Sequence, residues 1–476
     1  MEAYVKFALI IGCLISTFSL SAQYDIDIDI KNYDNDTLIV GYYYADKQLV
    51  QDTLYAIQPG KFEFAGEDTL SAGIYILLTA PDKEFIQFNV NEDNKVFSIS
   101  YDYNNKVDIT YTDSQDNSNF QNYISHLNEM RPEAEMLRDT ITALEEKGKV
   151  ATSFKSELEK IDNEVAEYQK NILTSYPNSI TAKVLKANND VELPEFPDTK
   201  EGQLERYLYY KAHFFDNLDL SDPLSMNLGI IQPKIDTYLD RLTSNYPDSI
   251  IVSLDYLLEK MQPAEKTYQY YLGTFLSKYG NSKIIGYDAI YVYLIDNYYA
   301  VGKTPWVSED NLIKIIDNAN KIRPSLIGKI GADIKVYEED DVTPISISSI
   351  DYEYLVLLFW APNCPHCTKM MPSVVEFNEK WKDKGIKTFA ICTKHQDKTK
   401  SCWESLEEKN MLGFINAADK LHRSRFKLKY NVSSTPKIFI LNKDREILLK
   451  NLGAEHLEGA MLEILKNDNR EDLIPK

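Results

Sequence analysis

The side chains best suited to covalent chemistry fall in residues 356–372, VLLFWAPNCPHCTKMMP. Cys364 and Cys367 are separated by Pro365 and His366. That spacing lets a disulfide close within one helical turn. A thiolate, not a thiol, attacks a disulfide. A helix starting at Cys364 would offer its unpaired N–H groups and partial positive charge to that thiolate. Pro365 suits the first turn, where an N–H would lack a partner anyway, and His366 can add positive charge or a hydrogen bond. The pattern points to thiol–disulfide exchange, with Cys364 the exposed nucleophile and Cys367 the resolving thiol.

Other chemistries fit less well. A structural disulfide across so short a loop removes little entropy from the unfolded chain. A metal site could draw on Cys364, Cys367, Cys392 and His366 or His395, but no second Cys-x-x-Cys or spaced His pair completes it. Covalent haem needs His directly after the second cysteine, where Thr368 stands. No metal and no cofactor is expected. Cys364, Cys367, Cys392 and Cys402 all lie in the last quarter of the chain, which favours local chemistry over a stapled scaffold. For Cys392 and Cys402 two readings stay open: a second disulfide, or accessory thiols that exchange with the first pair.

The elements that position these residues span several domains, because 476 residues exceed one ordinary core. Residues 1–22 read as a signal peptide: Lys6, an apolar run, then small residues, with cleavage after Ala22. The expected location is therefore exported and periplasmic, an oxidising compartment. Lipid anchoring at Cys13 is the weaker reading, since the apolar run before it is very short. The leader also falls short of the ~20 residues that span a bilayer, and no other segment is long and apolar enough to do so. The net charge of −21 argues against nucleic acid and anionic membrane surfaces as partners. Nearly all of that charge falls before residue 324; the last stretch is close to neutral.

Residues 23–115 alternate apolar and polar with period two, as in YDIDIDI, and predict a small antiparallel β domain with turns at Pro59-Gly60 and Pro81-Asp82. Residues 116–323 switch to helical periodicity. Leu158, Ile161, Val165, Tyr168 and Ile172 form one stripe, and the SYPNS and NYPDS segments each stop one helix and start another. Residues 324–476 alternate apolar strands with helices, among them YLVLLFW, IKTFAIC and the PKIFIL/REILLK hairpin, which predicts an α/β sheet covered on both faces. Helices are expected across SCWESLEEKN and LHRSRFKLKY.

A strand, Trp360, Cys-x-x-Cys and Pro372, followed downstream by Val432-Ser433-Ser434-Thr435-Pro436, resembles the thioredoxin fold. More narrowly, the chain resembles the exported TlpA/ResA-type thiol–disulfide oxidoreductases, some of which carry an N-terminal β domain and a helical middle segment. The resemblance implies a cis-proline at Pro436 beside the nucleophile. It also implies that Thr435 presents backbone to a substrate chain; His366 and Pro365 are read as positioning residues beside it, and Trp360 as a packing lid near the site, with a substrate contact the alternative. The implied partners are exported protein thiols or disulfides and an upstream electron donor or acceptor. The first two domains would dock a partner or mediate homo-oligomer formation. Two positions depart from the pattern: acids common in the family are replaced by Leu358 and Met370. Pro-His between the cysteines matches an oxidase, whereas the group as a whole implies reduction. The alternative is a partner-binding scaffold with a weakly active domain.

Overall fold

A computed structural model describes residues 23–80 and 84–475. The leader, Cys13 and the Pro81-Asp82 turn lie outside the described residues. The chain divides into two compact units, one running to residue 242 with 260–267, the other comprising 243–259 and 268–476. The helical stretch read as 116–323 contributes to both. Among the described residues, no helix is long and apolar enough to cross a membrane.

Among the described residues, the first unit begins with eight strands: β1 (Tyr24–Lys31), β2 (Thr37–Tyr44), β3 (Lys47–Tyr55), β4 (Lys61–Gly66), β5 (Gly73–Leu78), β6 (Phe85–Val90), β7 (Val96–Asp102) and β8 (Asn105–Thr112). They form two four-stranded sheets, ordered β4-β1-β7-β8 and β3-β2-β5-β6. Both sheets turn apolar side chains into one core, Ile26, Ile28, Phe64 and Ile99 from the first, Leu38, Val40, Leu77 and Phe88 from the second. Alternation explains this: one residue in two must leave water. Two features depart from the expected antiparallel domain. β1 and β7 pair in parallel. β3, which the alternation did not reveal, is exposed at every residue but Leu54, so no apolar face marked it. At the expected Pro59-Gly60 turn, Gly60 has φ +72° and a Cβ there would lie 2.2 Å from the Ile30 carbonyl oxygen, which only glycine accommodates.

Helices follow: α1 (Gln115–Glu145), α2 (Thr152–Ser175), α3 (Ile180–Asn188), α4 (Lys200–His213), α5 (Ile231–Asp240), α6 (Pro247–Met261), α7 (Glu265–Gly280), α8 (Asp288–Leu294) and α9 (Glu309–Ile322). The stripe on α2 is partly buried, with Ile172 in a cluster that includes Tyr123 of α1. The SYPNS segment acts as read: Ser179 caps α3 by accepting the Ala182 N–H at 3.0 Å.

The second unit holds a seven-stranded sheet ordered β10-β9-β13-β12-β11-β14-β15. Its strands are β9 (Lys335–Tyr337), β10 (Pro344–Ser346), β11 (Tyr354–Trp360), β12 (Ile386–Cys392), β13 (Ile415–Ala418), β14 (Lys437–Asn442) and β15 (Ile447–Lys450). β11, β12 and β13 run parallel; β14 is antiparallel to β11. Every residue of β11 is buried, because both faces are covered. Even-numbered positions such as Val356 and Leu358 pack with α10 (Pro365–Trp381) and α13 (Leu457–Asn467). Odd-numbered ones such as Leu357 and Phe359 pack with Phe426 and Tyr430.

Two expected helices contract, to α11 (Lys400–Glu404) and α12 (Phe426–Lys429). In LHRSRFKLKY the buried Asp419 carboxylate accepts the N–H groups of Arg423 and Ser424, and His422 and Arg425 take positive φ. That turn chemistry outcompetes a helix. In SCWESLEEKN, α11 gives way to turns that end at Asn410, also at positive φ.

Candidate active site

β11 delivers the chain to Cys364, and α10 begins at the next residue, Pro365, and contains Cys367. Cys364 is the N-cap of α10: it is extended, and its Sγ accepts the Cys367 N–H at 3.2 Å. Pro365 occupies the first turn, where its missing N–H is no loss. Pro372 lies within the same helix. Cys364 is half-buried, Pro365 and His366 are exposed, and Cys367 is fully buried. Both thiols are free.

The opposite wall is the loop before β14. The Thr435–Pro436 bond is cis, and the Cys364 thiol donates to the Thr435 carbonyl oxygen at 3.3 Å. Thr435 and Pro436 are half-buried, with Ser433 and Ser434 exposed beside them. The loop thus holds backbone next to the nucleophile with one side open to solvent.

The two sulfurs are driven apart in acidity. Burial opposes ionisation of Cys364. It is outweighed by hydrogen bonds from Cys367, its side chain and its N–H, and from the Thr435 side chain and the His366 N–H, so the pKa falls below the ordinary value. Cys367 goes the other way. Burial is the largest cause, and the hydrogen bond and charge of Cys364 add to it; backbone Ala361 and the Thr435 side chain oppose them without prevailing. No carboxylate is among the groups that shift Cys367. Leu358 is buried in the apolar core and Met370 packs half-buried against it, so neither position where the family pattern has an acid offers one.

Trp360 is 1% exposed within the core that also encloses Cys367, so it supports the site from beneath and cannot touch a docked chain. Cys392 and Cys402 form a disulfide and both are buried, which corrects the accessory-thiol reading: neither presents a free thiol. Among the described residues, no group of three or more His, Cys, Asp or Glu could hold a metal ion.

Three residues near the site were not singled out from the sequence. Thr393 donates to the Trp360 carbonyl oxygen through N–H (2.8 Å) and hydroxyl (3.1 Å). Lys437, directly after Pro436, donates to the Asn431 carbonyl at 2.5 Å and so ties together the two ends of the cis-proline loop. Burial and the nearby Lys450 charge push it down to about 8. Lys450 is itself buried against Asp288 and the Ser325 carbonyl. A lysine opening the apolar strand PKIFIL was the available signal for Lys437.

Residues 351–447 match the thioredoxin-like family, and residues 151–325 match a domain of unknown function, DUF5106. The thiol-disulfide oxidoreductase ResA of Bacillus cereus is 28% identical over 123 residues, which cover 25% of this chain and 68% of that protein. A thioredoxin-like protein from Bacteroides caccae has a solved structure that aligns at 17% identity and a TM-score of 0.44, over 58% of this chain and 99% of its own. A thiol:disulfide interchange protein from a Bacteroides species aligns at 16% identity and a TM-score of 0.28, over 30% and 92% respectively.

Proposed function

Since the C-terminal domain is thioredoxin-like and of the thiol–disulfide oxidoreductase class, we propose that Cys364 and Cys367 catalyse thiol–disulfide exchange on exported proteins. The Cys364 thiolate attacks one sulfur of a substrate disulfide, forming a mixed disulfide and expelling a substrate thiolate that takes up a proton. Cys367 then loses its proton and attacks Cys364 Sγ, releasing the second substrate thiol. Two electrons pass to the substrate, and the protein is left with a Cys364–Cys367 disulfide. An upstream dithiol donor returns it to the reduced form; the same steps in reverse oxidise a substrate. Thr435 and Pro436 present backbone to the substrate chain, His366 and Pro365 flank its approach, and Trp360 packs beneath. With the chain read as a β domain (23–115), a helical domain (116–323) and the redox domain (324–476), we assign the first two to docking or self-association. Export by the 1–22 leader places the reaction in the periplasm.

One observation carries this reading: the half-buried Cys364 sulfur lies 3.3 Å from the carbonyl of the cis-proline loop, with its thiolate favoured over that of Cys367. Cys367→Ser should trap disulfide-linked partners through Cys364, and the intact chain should reduce insulin. If nothing is trapped and insulin is not reduced, the reading fails in favour of a scaffold, which the apolar Leu358 and Met370 favour.

A further inference from the structure

The parallel strands β11, β12 and β13 end side by side. Trp360 is in register with Cys392, and Cys392 with Ala418. Adjacent strands lie ~5 Å apart, so the loops that leave them emerge along one edge, the carboxyl edge at which open α/β sheets place ligands. The first loop leads to Cys364. The second starts at Thr393, which is bonded to the Trp360 carbonyl, and the third at Asp419.

The second and third loops carry a concentration of positive charge. The rings of His395 and His422 lie 4.4 Å apart between centroids. Partial burial and the neighbouring His422, Lys427, Lys398 and Lys394 hold the His395 imidazole below its usual range, which places these groups within electrostatic reach of one another. Lys420 is held by Asp341, and the Asp419 carboxylate is taken up by the Arg423 and Ser424 N–H groups and the Ser424 hydroxyl. Asp397 and, further along the second loop, Glu404, Glu407 and Glu408 are the other carboxylates, and Glu404 is paired with Lys400. Lys394, Lys398, Arg423 and Lys427 form no ion pair among the described residues. Crowding like charges costs stability, and a chain of net charge −21 has carboxylates in excess that could have neutralised them.

We propose that this edge docks an acidic stretch of polypeptide, so that the preferred substrate of Cys364 is a protein whose disulfide is flanked by Asp and Glu. The inference rests on the exchange reading above. The charge calls for an anion, and the neighbouring cysteine calls for a disulfide, which a polypeptide carries and a nucleic acid or lipid surface does not. The chain as a whole, at net charge −21, repels an extended polyanion but leaves a short acidic segment free to seat on the patch.

The test uses the reduced full chain and three synthetic peptides that share one intramolecular disulfide, flanked by Glu, Gln or Lys. Exchange rates are read at low and high salt. The Glu peptide should react about tenfold faster than the Gln peptide at low salt, and the Lys peptide slower than either. Salt should abolish the differences. In Lys398→Glu/Lys427→Glu the Glu-to-Gln ratio should fall to one or below. Should that variant not fold, Lys398→Gln/Lys427→Gln reads the same ratio, and Lys466→Glu on α13 should preserve it. A short cysteine-free Glu-rich peptide should slow the Glu peptide; inhibition by anionic phospholipid vesicles but not by that short peptide overturns the proposal in favour of a membrane surface. Equal rates for the Glu and Gln peptides overturn acidic docking and leave the exchange reading intact. No exchange with any peptide overturns both.

Discussion

Release of the mixed disulfide by Cys367 is expected to be slow at neutral pH and to quicken steeply as pH rises. In the reduced protein Cys367 is pushed up from 9.0 to about 12, chiefly by burial, with further contributions from Cys364. Three units correspond to about 4 kcal/mol against forming the attacking thiolate. Once Cys364 is tied up in a mixed disulfide its contributions disappear and burial remains, so the working value lies between those limits. Either limit is above pH 8, and the resolving rate should therefore rise about tenfold per pH unit from pH 6 to 8. Attack by Cys364, whose thiolate is favoured, should level off below pH 9. Stopped-flow reaction of the reduced chain with a chromogenic aryl disulfide separates the two steps, because each expels one coloured thiolate. Met370→Glu sharpens the test. It places a carboxylate three residues after Cys367 on α10, where a general base is worth about a hundredfold; the second phase should gain about that factor at pH 7 and its pH slope should flatten. A wild-type second phase that is already level above pH 7, or no response to Met370→Glu, would refute the reasoning.

Three further outcomes follow from buried groups. Asp288→Asn strips the carboxylate from Lys450, whose side chain is 3% exposed, and should cost about 3–5 kcal/mol in urea unfolding; adding Lys450→Met should restore most of it, and a loss below about 1 kcal/mol would mean that water serves the cation. Lys437 is depressed to about 8 against 10.5, so between those values the unfolded chain binds more protons and stability must rise with pH; Lys437→Met should remove that part of the slope, read as the difference in thermal midpoint from the parent across pH 7–10, and parallel curves would exclude a buried cation. Replacing both Cys392 and Cys402 with Ser opens a loop of sequence separation 10 and should cost about 2–3 kcal/mol, with the alkylation rate of Cys364 unchanged; a matching loss of Cys364 reactivity would show that the second disulfide shapes the first site.

Much of the fold was legible because it follows from local periodicity. β1 shows Ile26, Ile28 and Ile30 on one face, and β11 is one continuous apolar run. β3 was illegible because pairing, not burial, makes it a strand: it is exposed nearly throughout yet hydrogen-bonded along β2. The parallel pairing of β1 with β7 was equally hidden, since alternation says which residues face inward and nothing about which strand lies alongside. α12 shortened because a side chain several residues away, Asp419, claimed the backbone N–H groups that a longer helix would have needed.

By itself, the sequence determined which residues could react. Cys364 and Cys367 stand one helical turn apart, with Pro365 at the helix start, and both spacing and helix-end electrostatics are properties of a few consecutive residues. Tertiary structure alone decided how differently the two sulfurs behave. Burial and hydrogen bonds from distant segments depend on what the fold brings alongside: the Thr435 loop reaches Cys364 from 71 residues away. It also decided that Cys392 and Cys402 are joined, that Trp360 lies beneath the site, and that His395 and His422, from two loops well apart in the chain, meet.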